Sequence, residues 1–234
     1  MNYQALAREF WANGYLVVED FFSSVIMDDL NERSLHHFGM QPDWEHSDEF
    51  IQKSATEVIP WFPKRAGDHS FDVIESDQRL ASLTEAILGP GWDALYTMVM
   101  FSKHGTKGQA WHQDCPPENP DQFNLNRLVY THDINASTGG QTIVQPKTHR
   151  SGPISVGDPH EDLVDQVVLS PKKGTLVILH GHNWHRVLPV LGTYRLSVNC
   201  RAIPTQTPEN ITDIAVYRNM RYRFSTHEII EERV

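Results

Sequence analysis

At 234 residues, the chain has the length of a single β-rich domain and is long enough to bury a hydrophobic core. Its 20 basic and 30 acidic side chains give a formal net charge of −10, which argues against a broad nucleic-acid-binding surface. No apolar run reaches the length of a membrane span, and the two cysteines are too few for a disulfide scaffold. Because the first residues also predict a polar helix rather than a signal peptide, we expect a reduced cytoplasmic protein, monomeric or homodimeric, without nucleic-acid or membrane partners.

The N-terminal part of the chain predicts helices around one strand. Apolar residues at helical spacing predict a short helix from Tyr3 to Phe10, and Asn13-Gly14 is suited to end it. Tyr15–Phe21 predicts a strand, and Ser23 or Ser24 then caps a second helix that ends at Gly39. Gln78–Leu88 predicts a further helix, because a glycine-proline-glycine turn follows it.

The stretch Met40–Asp72 has no clean period and mixes aromatic, basic and proline residues. Long irregular segments of compact domains are often lids or binding loops. A surface loop pinned by its aromatic side chains is the alternative, and the sequence does not decide between the two. Under the first interpretation, Trp61, Phe62 and Arg65 are candidates for substrate binding.

From Ala94 onward, short extended runs alternate with glycine, proline and polar turns. About eight strands at this spacing predict a double-stranded β-helix, the jelly-roll core of cupin-like proteins. We therefore expect a mainly β fold with buttressing α-helices in one domain: helices in residues 1–92, the jelly-roll core in 93–205, and a tail in 206–234 with a helical start and a solvated basic face. The predicted strands are Tyr96–Lys103, Trp111–Asp114, Leu125–Asp133, Gln141–Gln145, Ile154–Val156, Asp165–Leu169, Thr175–His180, Trp184–Leu188 and Arg195–Ile203, and the basic face comprises Arg218, Arg221 and Arg223.

A candidate metal site lies in Trp111-His112-Gln113-Asp114. Side chains alternate along a strand, so His112 and Asp114 share one face and can hold two neighbouring positions on one metal ion. The third ligand must come from elsewhere. Three histidines lie close together later in the chain, and their spacing alone does not choose between them: His180, His182 and His185. Two histidines and one carboxylate are the ligand set of non-haem Fe(II) oxygenases.

The strand Arg195–Ile203 provides a candidate anion site. Alternation puts four polar residues on one face, namely Arg195, Ser197, Asn199 and Arg201. In a metal-holding barrel, part of such a face can look into the cavity, and an arginine fork suits the carboxylate of a co-substrate that chelates the metal. We expect Arg201, further along the strand, at the surface.

In this order, these features resemble the phytanoyl-CoA dioxygenase family of iron(II)- and 2-oxoglutarate-dependent oxygenases. The resemblance extends to the strand at 13–22, to the glycine-pair, proline and histidine segment at 139–152, and to the strand at 174–181, and it is thin between about Gly39 and Ser76. The match to the distal histidine of the family selects His185, so the resemblance implies Fe(II) held by His112, Asp114 and His185.

The resemblance also implies a site for the co-substrate. The family's arginine and its following hydroxyl residue match Arg195 and Ser197, which would bind the distal carboxylate of 2-oxoglutarate. Tyr130 lies where family members often carry an aromatic residue near the co-substrate, and core packing is an equally good interpretation for it.

The implied activity is hydroxylation of a small molecule, with O₂ as the second co-substrate and release of succinate and CO₂. Asp114 favours hydroxylation, since related halogenases lack this carboxylate, although desaturation, cyclisation and epoxidation need no other ligand set. An iron dioxygenase of the cupin type without 2-oxoglutarate is the alternative enzyme, and it leaves Arg195 and Ser197 unexplained. A non-catalytic jelly-roll binding module is the alternative of another class. The sequence does not identify the substrate.

Overall fold

The structure is a computed structural model that describes residues 1–39, 45–54, 56–154, 158, 160–208, 211, 214–217, 220–224 and 229–233. Of the predicted strand Ile154–Val156, two residues lie outside this range, and Ile154 itself is buried in a loop. Arg218 of the predicted basic face also lies outside the described residues.

The described residues form five α-helices. The predicted helices at the N-terminus and at Gln78 are confirmed, and each begins with a side chain that accepts a hydrogen bond from a first-turn amide: Asn2, Ser23 and Asp77. None of the described helices has the length and apolarity that a membrane span requires. The helices are α1 (Tyr3–Asn13), α2 (Ser24–Phe38), α3 (Asp48–Ser54), α4 (Asp72–Glu75) and α5 (Gln78–Leu88), with short 3-10 turns at Pro63–Ala66 and Thr148–Arg150.

Most of the predicted strands form two antiparallel sheets, which confirms the jelly-roll architecture. The larger sheet contains β1 (Tyr15–Val18), β2 (Ile59–Trp61), β3 (Asp93–Lys103), β5 (Leu125–Tyr130), β8 (Leu176–His180) and β10 (Tyr194–Ile203), in the order β1-β8-β5-β10-β3-β2. The smaller sheet contains β4 (Gln109–His112), β6 (Thr142–Val144), β7 (Val167–Leu169) and β9 (His185–Val187), in the order β4-β9-β6-β7.

One sequence expectation about elements is wrong. The stretch Met40–Asp72 is not wholly irregular, because its described part contains α3 and the edge strand β2. The predicted helical start of the tail, after Pro208, lies mostly outside the described residues. Further along, the described residues of the tail form a third sheet of β11 (Ile214–Tyr217), β12 (Met220–Phe224) and β13 (Ile229–Arg233).

The predicted alternation of β10 is confirmed, and it separates the main core from the barrel interior. Leu196, Val198 and Cys200 are fully buried and pack in the main core with apolar residues of α1, α2 and α5. The residues between them face the space between the two sheets and are also buried: Arg195, Ser197, Asn199 and Arg201. Strand β10 therefore presents apolar side chains toward the helices and polar side chains toward the barrel interior.

Candidate functional site

Pairing of β4 with β9 brings the two candidate metal-binding strands together. His112 ends β4, His185 begins β9, and the two residues are direct partners in this antiparallel pair, with ring centroids 4.1 Å apart. The carboxylate of Asp114 lies 3.2 Å from His185 Nε2 and 3.9 Å from His112 Nε2. All three side chains are buried, and their potential ligand atoms lie within 4.8 Å of one another. Among the described residues, this is the only such group of three or more histidine, cysteine or acidic side chains.

The hydrogen bonds of the two imidazoles suit metal ligation. His112 Nδ1 lies 2.8 Å from the carbonyl oxygen of Ala110, and His185 Nδ1 lies 2.8 Å from that of Asn183. A carbonyl only accepts, so each Nδ1 carries the proton and the lone pair is on Nε2, which faces Asp114. Burial, together with the neighbouring His185, lowers the pKa of His112 to about 3, so this ring is neutral at pH 7. The donor set and its tautomers therefore fit a divalent metal ion.

Two donors hold the carboxylate of Asp114. Asn126 Nδ2 donates to Oδ2 at 2.8 Å, and Arg201 Nη2 donates to Oδ1 at 2.9 Å. Burial alone would raise the pKa of Asp114, but Arg201 and His185 outweigh it and hold this pKa well below its usual range. The expectation that Arg201 lies at the surface is wrong: its side chain is 9% exposed, because the polar face of β10 is covered along its whole length.

Arg195 is 2% exposed and lies in a cluster of hydroxyl groups. Its Nε donates to the carbonyl oxygen of Gly140 at 2.7 Å, its Nη1 to Ser197 Oγ at 3.3 Å and its Nη2 to Thr142 Oγ1 at 3.3 Å. Tyr130 OH lies 3.0 Å from Thr142 Oγ1, and the guanidinium carbon lies 5.9 Å from the Tyr130 ring centroid. No described carboxylate forms an ion pair with Arg195, so the positive charge of its guanidinium is hydrogen-bonded only to neutral oxygen atoms.

Gly140 permits this approach of Arg195. Its φ is +68°, and a Cβ at this position would lie 2.8 Å from Arg195 Cδ. A larger residue here would therefore be strained and would also displace the guanidinium stem. Gly140 therefore contributes to the placement of the arginine.

The other two histidines near His185 are buried among other residues, away from the carboxylate of Asp114. The ring of His180 stacks on Phe123 at a centroid distance of 4.0 Å, and burial lowers its pKa well below 6.5. His182 Nε2 lies 3.1 Å from the carbonyl oxygen of Pro116. Both residues are 2% exposed, and neither belongs to the group around Asp114.

The candidate substrate residues divide between the two faces of the larger sheet. Trp61 pairs with Val99, and its ring packs in the main core between His37 and Phe71. Phe62 instead contacts Tyr96 edge-on at a centroid distance of 5.2 Å, and Tyr96 pairs with Arg201 on β10.

The guanidinium of Arg65 lies over the rings of Phe62 and Tyr96. Its carbon atom lies 4.2 Å from the ring centroid of Phe62 and 5.5 Å from that of Tyr96. Phe62 and Arg65 therefore lie toward the barrel interior, whereas Trp61 lies toward the helices.

Three residues at the site are missing from the sequence-based prediction. Alternation along β5 carries a signal for Asn126, since it shares the face of Tyr130 and is a polar residue in an apolar strand. Thr142 follows the glycine pair directly, but only the fold shows that it reaches Arg195. Tyr96 carries no sequence signal, because a tyrosine in a strand is ordinarily a packing residue.

Comparison with known proteins identifies a family and a fold. A model of the phytanoyl-CoA dioxygenase (PhyH) family matches residues 10–192. The non-heme α-ketoglutarate-dependent epimerase SnoN from nogalamycin biosynthesis is similar in structure, with a TM-score of 0.68, 16% identity, and coverage of 92% of this chain and 85% of SnoN. HygX from Streptomyces hygroscopicus, with nickel, 2-oxoglutarate and hygromycin B bound, gives a TM-score of 0.66, 12% identity and 88% coverage of both chains. At these identities the structural likeness shows the fold alone. No curated protein sequence matches the chain.

Proposed function

The chain belongs to the phytanoyl-CoA dioxygenase family, and we propose from this membership and the site geometry that it is an Fe(II)- and 2-oxoglutarate-dependent oxygenase that hydroxylates a small molecule. In the proposed reaction, a substrate C–H bond, O₂ and 2-oxoglutarate give the alcohol, succinate and CO₂. One oxygen atom of O₂ enters the alcohol and the other enters succinate, so atoms and electrons balance.

The observation that carries the proposal is the buried Arg195, which has no acidic partner among the described residues. A guanidinium loses most of its hydration when it is 2% exposed, and neutral hydroxyl and carbonyl groups replace that hydration incompletely. An anionic ligand with a free carboxylate would complete the site. Because Arg195 lies on the same interior face as Arg201, which holds Asp114, such a ligand would extend from the arginine toward the metal site. The alternative without 2-oxoglutarate leaves this buried charge unexplained.

We assign the metal to His112, Asp114 and His185, and the distal carboxylate of 2-oxoglutarate to Arg195 and Ser197, with Tyr130 beside it. Bound Fe(II) and 2-oxoglutarate would supply the O₂-dependent oxidation of the substrate. The chain supplies neutral imidazoles with fixed tautomers, an ionised carboxylate and a fork-shaped cation. The burial of these groups excludes bulk water from the site.

We also propose that substrate binds at the barrel mouth beside the sheet edge formed by β2 and β3. On β3, the interior-facing side chains Tyr96, Met98 and Met100 are partly exposed, whereas Thr97 and Val99 on the other face are buried. Solvent therefore reaches the interior from this edge. Phe62 and Arg65 offer an aromatic surface and a cation at the same edge, while the buried Trp61 would support them from behind.

Succinate formation tests the proposed activity. The purified protein, reconstituted with Fe(II) under nitrogen and then given O₂, ascorbate and 2-oxoglutarate, is expected to release succinate slowly even without its primary substrate. The variants His112→Ala and His185→Ala are the matched controls, and both should lose this release. A mass-spectrometric screen of small molecules should then find a product heavier than its substrate by one oxygen atom.

The other outcomes of this experiment identify the alternatives. Oxidation of a substrate without consumption of 2-oxoglutarate would favour the cupin-type dioxygenase. Metal binding without any succinate would favour a non-catalytic module. Succinate formation with a product of unchanged mass would indicate epimerisation, the reaction named for SnoN, and would contradict hydroxylation.

A further inference from the structure

Arg201, on the barrel wall, contacts one of the candidate metal ligands directly. Its Nη2 donates to Asp114 Oδ1 at 2.9 Å, and the side chains are 9% and 11% exposed. A buried ion pair is costly to desolvate and is not by itself a source of stability. The pair therefore suggests a role at the site rather than a role in folding alone.

The carboxylate of Asp114 is held from two directions. Arg201 occupies Oδ1, while Asn126 Nδ2 occupies Oδ2 at 2.8 Å. Asn126 is held in turn by Asn199 Nδ2, which donates to its Oδ1 at 2.8 Å. Rotation of the carboxylate about its Cβ–Cγ bond would break one or both of these bonds. The plane of the carboxylate is therefore set before any metal binds.

Arg201 is itself fixed by the neighbouring strand. Its partner across the β10–β3 pair is Tyr96, and its guanidinium carbon lies 5.8 Å from the Tyr96 ring centroid. The register of this pair shifts directly after Arg201, because Ala202 pairs with Ala94 and Leu95 of β3 is left without a partner in the pair. The guanidinium of Arg201 thus lies over the Tyr96 ring and reaches across the barrel to Asp114.

We propose that Arg201 is a positioning residue for the metal centre: it holds Asp114 in the orientation in which one carboxylate oxygen completes the site with His112 and His185. This inference rests on the proposed function, since it requires a metal at these three residues. It assigns a role to a side chain outside the candidate ligand set, and it requires that Arg201 act only through Asp114.

Co(II) binding tests this role without turnover. We would titrate Co(II) into the unaltered chain, R201Q, R201K and D114A by calorimetry, and record the visible ligand-field bands of each complex. R201Q should weaken Co(II) binding by about 10–100-fold, the usual effect of removing a group that orients a metal ligand. R201K should lie between R201Q and the unaltered chain, since an ammonium keeps the charge but not the fork. The ligand-field spectrum of R201Q should move toward that of D114A.

A double-mutant cycle and a buried control separate positioning from general loss of structure. In the D114A background, R201Q should weaken Co(II) binding no further, because the residue through which it acts is already absent. R127Q is the matched control, since Arg127 is also buried but donates to Cys200 O and Thr84 Oγ1 on the helix side of the sheet. R127Q should lower the melting temperature and leave the Co(II) affinity within twofold.

Three results would overturn the inference. Co(II) affinity of R201Q and R201K within twofold of the unaltered chain would show that Asp114 needs no such support. Tighter binding by R201Q would show that the guanidinium competes with the metal for the carboxylate. An undiminished effect of R201Q in the D114A background would place its action elsewhere. A chain that binds no Co(II) at all would instead refute the metal site, and with it the proposed function.

Discussion

His185 stands five residues after His180 and three after His182, so assignment of the third ligand depends on the fold rather than on spacing. In the structure, pairing with His112 brings the imidazole of His185 to Asp114, while His180 stacks on Phe123. We predict that His185→Ala abolishes metal binding and succinate formation, whereas His182→Ala keeps both. Calorimetric titration of Co(II), followed by succinate measurement, checks this. The assignment fails if His182→Ala loses the metal and His185→Ala keeps it.

The charge of Arg195 leads to a prediction about the co-substrate. Arg195→Ala should weaken anaerobic binding of 2-oxoglutarate by about 2–5 kcal/mol, because a buried charged pair loses one partner. Arg195→Lys should recover only part of this loss, because an ammonium cannot form the two parallel hydrogen bonds of the guanidinium. Calorimetric titration of the metal-loaded protein measures both variants. An unchanged affinity in Arg195→Ala would refute the clamp.

For single residues, the sequence predicts which side of a strand a side chain lies on better than it predicts how deeply that side chain is buried. Strand alternation predicts that His112 lies beside Asp114 and that Arg195 and Arg201 share one side of β10. The structure brings both pairs together, although β4 ends at His112 and Asp114 lies just beyond it. The same alternation says nothing about how far the opposite sheet covers that side. Arg201 was therefore expected at the surface although it is buried, because its cover comes from residues distant in the chain.

Trp61 of β2 faces the helix side of the larger sheet, whereas Phe62 and Arg65 after it face the barrel interior. We therefore expect substitution of Trp61 to affect stability and substitution of Phe62 or Arg65 to affect substrate turnover. We predict that Trp61→Ala lowers the free energy of unfolding by about 3–5 kcal/mol, as is usual for a buried aromatic residue. Phe62→Ala and Arg65→Ala should instead weaken substrate turnover while Co(II) and 2-oxoglutarate binding stay near those of the unaltered chain. Urea unfolding and kinetics with a substrate from the screen measure the two effects.

Arg33→Ala is the control for Arg65→Ala, since Arg33 is an exposed arginine on α2 that pairs with Asp29. If Phe62→Ala and Arg65→Ala both leave substrate kinetics unchanged, the β2–β3 edge is not the substrate mouth. If Trp61→Ala unfolds no more easily than the unaltered chain, its ring does not support the core.

At the scale of elements, local signals predict helices well and distant pairing poorly. The helix at Gln78–Leu88 has both ends marked, by the cap Asp77 and by Gly89, and the structure has the same bounds. Strand β2 has no such marks, because Ile59-Pro60-Trp61 becomes a strand only by pairing with Val99–Phe101. The tail strands likewise depend on pairing with one another.

For the whole molecule, buried neutral histidines predict sensitivity to acid. Burial, together with the charge of Arg195, lowers the pKa of His132 to about 4, and its Nε2 accepts a hydrogen bond from the amide of Leu196. The unfolded chain binds this proton near pH 6.5 and the folded chain only near pH 4. Stability from this residue is therefore complete above pH 6.5 and is lost as the pH falls, by about 2 kcal/mol between pH 7.5 and 5.

Urea unfolding at these two pH values measures the loss. His132→Gln should reduce it, because the amide oxygen keeps an acceptor near the position of Nε2 and does not titrate. His104→Gln, the same change at an exposed histidine, is the control. Equal acid sensitivity in His132→Gln and the unaltered chain would contradict the prediction.

Metal binding should also stabilise the whole fold, because the three ligands meet only when β4 and β9 are paired. A free metal concentration of one hundred times the Kd adds about 2.7 kcal/mol to the free energy of unfolding. For a chain of this length, that corresponds to a rise in Tm of about 5–10 °C. Thermal unfolding with Co(II), and again after addition of a chelator, measures the rise. Asp114→Ala should reduce this rise, and a Tm independent of Co(II) would argue against the site.

The position of β10 has a consequence for synthesis of the protein in the cell. This strand lies between β5 and β3 at the centre of the larger sheet, yet it is the last strand of that sheet to leave the ribosome. A nascent chain that ends before Tyr194 already contains all three candidate ligands, but its sheet is divided into two separate pieces with unpaired inner edges. Such edges recruit other strands. Productive folding of this sheet must therefore wait until residues 194–203 have emerged, and until then its open edges can pair with strands of other chains.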